Sequence, residues 1–331
     1  MNILVLGGTA FLGRAIALAA LVRGHEVTCL ARGTDEAPGG VDFVRADRDE
    51  SDGLRLVRDR RWDAVIDVSR QPGQVRRAVR ELRTRHWVFV SSGNAYADFS
   101  RIEQDEDAAT LAPLASDVMA DMSQYGPAKV ACEQAVRSVD GPATIVRSGL
   151  IAGPGDATGR SGYWPWRFAH PTGPDVIAPD DPTFPCAMID VRDLADWIVA
   201  AAEQRIDGVF NATGPTTTLE RVLEAAAEVA GSDVPVRPVP AARLAELGVG
   251  GWMGPATLPL WIDDADWRGF ATMNTERARA AGLVTRPLTH TLRDALAYEE
   301  TRTSPRLTGL DDEEERRVRL ALDREADSSA L

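Results

Sequence analysis

The sequence predicts an α/β protein, a doubly wound parallel sheet followed by a smaller, mixed C-terminal domain. Three observations predict it. Strand and helix patterns alternate through the first half of the chain. The first strand breaks into a glycine turn that opens a helix. After residue 150 the texture changes to a stretch rich in Gly and Pro that holds Tyr163, Trp164 and Trp166.

The elements follow in order. Ile3-Leu4-Val5-Leu6 is an apolar run bounded by glycine, as expected of a strand buried on both faces. The helix after it is apolar along Leu12, Ala15, Ile16, Ala19 and Ala20, and Gly24 ends it. Strands are predicted over 2–6, 26–30, 41–45, 64–68, 86–91 and 143–147, and helices near 12–23, 51–59, 72–83 and 124–138. Asp190 to Leu194 opens a helix, Gly208 to Asn211 a strand, and Thr217-Thr218-Leu219-Glu220 reads as a capping box. The domains expected are 1–150, joined again by 187–215, then a second region of 151–186 and 216–302. Residues 303–331 are expected to form a charged peripheral helix, with Asp312/Arg316 and Glu313/Arg317 spaced as i,i+4 pairs, fading into disorder at Ser328.

Composition removes several function classes. The 331 residues are 44% hydrophobic and 26% charged, with a net charge of −13. Such acidity disfavours a nucleic-acid surface, which needs clustered positive charge. No apolar run approaches the roughly 20 residues of a membrane span. Met1 leads straight into a strand without a basic leader. The three cysteines, Cys29, Cys132 and Cys186, form no metal-ligand spacing. A cytoplasmic, reduced protein without a metal site is expected.

Two motifs carry chemistry. Gly7-Gly8-Thr9-Ala10-Phe11-Leu12-Gly13 sits between a strand and a helix, where bare backbone N–H groups and a helix N-terminus face an anion. Ala10 lies inside a pattern that departs from G-x-G-x-x-G. Tyr125-Gly126-Pro127-Ala128-Lys129 places a phenol and an ammonium on one helical face. Together they predict that a dinucleotide is bound and a proton moved. In a parallel sheet, ligands sit at the carboxyl ends of the strands. Arg32, Asp47, Val68, Ser69, Arg70, Ser92, Gly149 and Leu150 are predicted there.

These residues give the chain its resemblance. It resembles the extended and atypical branch of the short-chain dehydrogenase/reductases, the epimerase/dehydratase-like group. The matching pieces are the glycine turn, Phe89 to Tyr96, Tyr125 to Lys129, Arg147 to Asp156, Ile189 to Leu194 and Phe210 to Gly214, in family order over roughly residues 1–300. The resemblance implies that Tyr125 is the general acid/base. It implies that Lys129 assists the phenol and holds the nicotinamide ribose, and that Ser92 bonds the substrate oxygen. Ser92 is alternatively a strand-end turn residue. A phenol titrates near 10 unaided, so a neighbouring cation is needed for proton transfer near neutrality. A homodimer is a further family expectation.

Arg32 closes the second strand, where a basic side chain accommodates a 2′-phosphate. NADP(H) is therefore the expected cofactor, with NAD(H) as the other choice, and Asp47 is the expected adenine contact. The main expectation is an NADPH-dependent reductase of a carbonyl on a small-molecule substrate. The alternative is an NAD-dependent nucleotide-sugar epimerase or dehydratase. A second alternative is a non-catalytic dinucleotide sensor or RNA-binding protein. Gly93 and Asn94 stand where a 4,6-dehydratase carries an acidic pair, which argues against dehydration of that kind. Cys186 stands where an epimerase carries a diphosphate-gripping arginine, with Arg167 or Arg160 as substitutes. Ala95, Tyr96, Tyr163, Trp164, Trp166 and Cys186 are the expected substrate-pocket residues. Segment 97–123 is expected to be a solvated loop.

Overall fold

The computed structural model describes residues 1–329. The chain divides into two compact units. The first holds Met1–Leu150, Ile189–Gly214 and Met273–Thr285. The second holds Ile151–Met188, Pro215–Thr272 and the chain from Arg286 onward. The return of Met273–Thr285 to the first unit has no counterpart in the sequence reading.

The first unit is built on seven strands: β1 (Asn2–Leu6), β2 (Glu26–Ala31), β3 (Asp42–Arg45), β4 (Ala64–Asp67), β5 (Trp87–Ser92), β6 (Ala143–Ser148) and β7 (Gly208–Ala212). Their order is β7-β6-β5-β4-β1-β2-β3. Every pairing is parallel, with Ile3 opposite Val27 on one side and Ala64 on the other. The order reverses between β1 and β4, which makes a crevice at their carboxyl ends. Helices α1 (Phe11–Val22), α2 (Pro72–Glu81), α3 (Tyr125–Arg137) and α4 (Val191–Gln204) cover the faces. Helix α1 packs with α4, and α2 with α3.

Local chemistry explains these elements. β5 and β6 are buried along their whole length, as strands covered on both faces must be. Leu4, Leu6, Val65, Phe89, Val75 and Val136 belong to one core between the sheet and α2/α3. Each such side chain stabilises the fold by roughly 1.5–3 kcal/mol. Pro72 begins α2, where its missing N–H is not needed. Asp190 caps α4 by accepting a bond from the Arg192 N–H.

The strands fall within a residue or two of their expected bounds. The expected helix at 51–59 is instead a series of turns. A Cβ on Gly53 would collide with the Asp47 carbonyl, so the chain here serves close approach rather than helix. Segment 97–123 is not a freely solvated loop. Gln104 and Glu106 are buried, the Asn211 N–H donates to Glu106, and Leu114 N–H donates to the Pro127 carbonyl.

The second unit contains helices Tyr163–Ala169, Leu219–Ala230, Leu288–Glu300 and Asp312–Ser329. Strand Val176–Pro179 pairs in parallel with Val236–Val239. The cap of Leu219–Ala230 is Thr218, whose hydroxyl accepts from Arg221 N, and Gly231 ends the helix in the left-handed region. The expected capping box therefore moves on by one residue, and Glu220 does not close it. The charged tail is not peripheral. Glu315, Val318 and Leu322 of helix Asp312–Ser329 are buried, and Glu315 meets the fully buried Arg167 at 2.8 Å. The helix runs through Ser328; of the expected disordered end, residues 330–331 lie outside the described residues. No helix among the described residues is long and apolar enough to cross a membrane.

Candidate active site

The glycine turn is shaped by what side chains would strike. Gly7 has φ +97°, and a Cβ there would lie 2.6 Å from Val68 Cγ2. A Cβ on Gly8 would collide with Cys29, and one on Gly13 with the Gly7 carbonyl. These glycines make a tight turn at Gly7, close packing on β2 at Gly8 and a close contact between helix and turn at Gly13. Ala10 is the N-cap of α1 and supplies no side-chain cap, and the first turn holds no acidic residue. The first N–H groups of α1 are thus left to an external anion. The turn fits a dinucleotide diphosphate on these grounds.

Beside it lies a cavity of about 410 Å³. It brings together Gly7, Thr9, Ala10, Arg32, Asp47, Val68, Ser69 and Arg70 of the expected residues. Arg32 is exposed, and its guanidinium makes no hydrogen bond or ion pair among the described residues. Arg45 donates its Nε to the Arg32 carbonyl at 3.0 Å, so a second guanidinium stands close by. Asp47 Oδ1 accepts from Asp49 N at 2.9 Å, which fixes the turn after β3. Gly8, Phe11, Leu12 and Gly13 form the turn beneath, and Phe11 adopts φ +30°. Gly149 and Leu150 lie outside the cavity. Gly149 donates to the Ala212 carbonyl at 2.9 Å, and Leu150 is buried.

Ser92, Tyr125 and Lys129 also lie beyond the cavity, on β5 and α3. Tyr125 is the first residue of α3 and is half-buried. A Cβ on the next residue, Gly126, would collide with the Asn94 carbonyl. That glycine lets the first turn of α3 lie against the turn that follows Ser92. The Tyr125 hydroxyl makes no hydrogen bond among the described residues. Ser92 Oγ donates to Asn94 Oδ1 at 2.9 Å and accepts from Asn94 N at 3.2 Å. Ser92 is therefore the cap of that turn, and its proton must rotate before it meets any ligand.

Lys129 is buried, yet held by polar partners. Its Nζ donates to the Ser69 carbonyl at 2.8 Å and to the Val90 carbonyl at 2.7 Å. It lies 5.7 Å from the centroid of the Tyr125 ring. An ammonium has three donors, so one remains. Sequence reading missed a further signal: Lys129 is the single lysine in the chain, every other basic side chain apart from the histidines being arginine. An ammonium is a compact charge with rotatable donors and a guanidinium a planar fork, so the two are not interchangeable between these carbonyls.

A scan of family models matches residues 3–213 to the NAD dependent epimerase/dehydratase family. The chain belongs to that family. No curated protein matches its sequence. Solved structures resemble the family member described here across nearly its whole length. UDP-N-acetylglucosamine 4-epimerase from Bacillus cereus shares 16% identity at a TM-score of 0.65, over 92% of this chain and 98% of that one. A putative epimerase from Burkholderia cenocepacia shares 19% at 0.69, over 91% and 98%. UDP-glucose-4-epimerase from Stenotrophomonas maltophila, solved with bound NAD and formylated UDP-arabinopyranose, shares 20% at 0.66, over 91% and 98%. At these identities the likeness is one of fold.

Most of the expected substrate residues are held in packing. Ala95 and Tyr96 are fully buried in the first unit. Tyr96 Oη donates to Asn211 Oδ1 at 2.6 Å, and Arg147 stacks 4.8 Å from its ring. In the second unit Tyr163 and Trp164 pack edge to face at 4.9 Å, and Trp164 Nε1 donates to the Pro259 carbonyl. Cys186 Sγ sits on the carbonyls of Phe184 and Leu260, and burial pushes its thiol up to about 12. Trp166 alone is half-buried, between His170 at 3.9 Å and Arg306 at 4.2 Å. Arg167 is committed to Glu315 and Asp312, and Arg160 lies over Trp252. Sequence reading also missed the buried Glu133–Arg147 pair behind Ser91. Burial opposes the Arg147 charge, but Glu133 overrides it and holds the guanidinium above its ordinary range.

Proposed function

We propose that the protein is a nicotinamide-dinucleotide enzyme that moves a proton and a hydride at a carbinol carbon, in epimerase/dehydratase-type chemistry. The first substrate class to test is a nucleotide sugar. One observation carries this reading: the only lysine of the chain lies beside a phenol whose hydroxyl has no partner among the described residues, and it is held by the carbonyl of Ser69, which lines the cavity together with the glycine turn. Family membership supports it, as does the NAD and nucleotide sugar printed for the Stenotrophomonas relative.

The residues divide the work. Gly7, Gly8 and Gly13 with the start of α1 would hold the diphosphate, and Asp47 and Arg32 would face the adenosine end. When bound, the dinucleotide supplies the hydride donor or acceptor. Tyr125 takes the proton of the substrate hydroxyl as the C–H bond breaks, and returns it on reduction. Lys129, by its fixed charge, favours the phenolate that accepts this proton and that re-forms when the proton is returned. Ser92, released from Asn94, donates to the substrate oxygen. Asn94 carries no exchangeable carboxyl proton, which favours epimerisation over dehydration within the family chemistry.

A second reading, NADPH-dependent reduction of a small carbonyl compound, rests on Arg32. An exposed, unpartnered guanidinium at the end of β2 suits a 2′-phosphate better than a bare ribose. Assaying the purified protein for retained dinucleotide, then titrating with NADPH and NADH, separates the two. Tightly retained NAD supports the redox-neutral epimerase reading. Exchangeable NADPH with clear preference over NADH supports reduction. Binding of neither removes both.

A further inference from the structure

We infer that Asp67 and Arg48, a buried ion pair beneath the cavity, position both ends of the site at once: Arg48 sets the adenosine-side wall, and Asp67 sets the carbonyl that holds Lys129. The inference deepens the dinucleotide reading and rests on it.

Asp67 ends β4 at the crevice where the strand order reverses, and it is fully buried. Arg48 follows β3 and is 8% exposed. The two form a fork, Nη1 to Oδ1 at 2.8 Å and Nη2 to Oδ2 at 2.7 Å. Nη2 also donates to the Gln74 carbonyl at 2.9 Å, and the Arg48 carbonyl accepts from Arg77. The turn that carries Asp47 and Asp49 is thereby tied to β4 and α2. On its other side Asp67 Oδ1 accepts the Ser69 N–H at 2.9 Å. The Ser69 carbonyl is the one that receives Lys129 Nζ. One carboxylate therefore stands one hydrogen bond from Arg48 in the wall and two from the ammonium.

Stability alone does not account for the pair. A buried ion pair is commonly matched or bettered by apolar residues of similar volume. Geometry does account for it: a fork fixes direction as well as distance, and Asp67 spends its remaining capacity on the turn that presents Ser69.

The test uses the full chain carrying 13Cε-lysine, which gives one resonance because Lys129 is the only lysine. Replacing the pair by Arg48→Met with Asp67→Leu removes the acceptor for Ser69 N–H and is expected to displace that resonance in the ligand-free protein. Arg48→Gln keeps Asp67 on Ser69, so its resonance is expected to stay with the wild type. Its affinity for ADP-ribose is expected to fall on the order of tenfold. Should the double variant fail to fold, Arg48→Met with Asp67→Ala, which also lacks the acceptor, replaces it with the same expectation. A resonance unmoved by loss of Asp67 overturns the proposal, and so does unchanged ADP-ribose affinity in Arg48→Gln. A resonance displaced alike in all variants, with a lowered melting temperature, means general loosening and overturns it too. Wild-type protein that does not bind ADP-ribose sinks the dinucleotide reading instead, and the ligand-free resonances still decide whether Asp67 positions Lys129.

Discussion

The two ends of the parallel sheet obey different rules. At the amino ends of the strands, polar groups bond to one another, although His86 Nδ1 and Asn2 Oδ1 are buried without a partner among the described residues. His86 Nε2 meets Thr144 Oγ1 at 2.9 Å, and Thr144 in turn donates to the Ile206 carbonyl. Asp207 takes the Ala143 N–H, and Asp63 the Asn2 N–H, each at 2.9 Å. At the carboxyl ends, groups are held but not exhausted. The third donor of Lys129, the Tyr125 hydroxyl, the Arg32 guanidinium and the first N–H groups of α1 lack partners among the described residues. The contrast teaches where each kind of damage should appear. Substitutions at one end should change chemistry and binding; at the other they should change stability.

The largest effect sharpens the carboxyl end. Tyr125→Phe removes a hydroxyl that supports no packing contact through a hydrogen bond, so folding and dinucleotide affinity should persist. Turnover should fall by about 10² to 10⁴, the usual contribution of a positioned acid/base. Steady-state kinetics beside a binding titration check it. Full turnover in this variant would break the comparison at its strongest point.

Next comes the amino end, through His86. Burial lowers its imidazole from 6.5 to about 4. The folded state therefore keeps it neutral while the unfolded chain takes up a proton below 6.5. This group's contribution is fully present above pH 6.5 and is lost as pH falls toward 4, by roughly 3 kcal/mol in all. Denaturant unfolding across that range, on wild type and on His86→Gln, isolates the term. The variant should show a flatter acid limb with dinucleotide affinity unchanged. Parallel curves would mean that His86 titrates normally.

Gly13→Ala tests whether backbone shape alone makes the phosphate end. Its methyl would strike the Gly7 carbonyl, and neither backbone segment can yield without opening the turn. Affinity for the dinucleotide should drop by some tens-fold, about 2 kcal/mol, with a smaller loss in melting temperature. Unchanged affinity would place the diphosphate elsewhere.

This same division decides what was legible beforehand. The first unit could be read because its strands are uninterrupted apolar runs and its turn is written in glycines, Gly7 for its φ of +97° and Gly8 and Gly13 because a Cβ has no room there. Tyr125 and Lys129 were legible from their four-residue spacing. Arg48 and Asp67 were not, because an arginine after β3 and an aspartate ending β4 pair only once the strand order is known. The second unit was read poorly for a related reason. Glu315 looks like one more charge in a solvated tail until Arg167, far away in sequence, buries against it. Tyr96, Tyr163 and Trp164 invite a pocket reading from their chemistry, whereas their burial follows from partners that sequence does not display.

The smallest effect concerns Arg32, and it carries the most information about the cofactor. Nothing among the described residues consumes its charge, so Arg32→Ala should leave the fold and NADH affinity as they are. If a 2′-phosphate sits there, NADPH affinity should fall about tenfold, the worth of one charge-assisted contact at an exposed site. Arg45 lies close enough to cover part of the loss, so Arg32→Ala with Arg45→Ala should deepen it. Equal NADPH and NADH affinities before and after would assign both arginines to the solvated surface. The cofactor end would then carry no preference for phosphate, and the redox-neutral, NAD-based reading would stand without a rival.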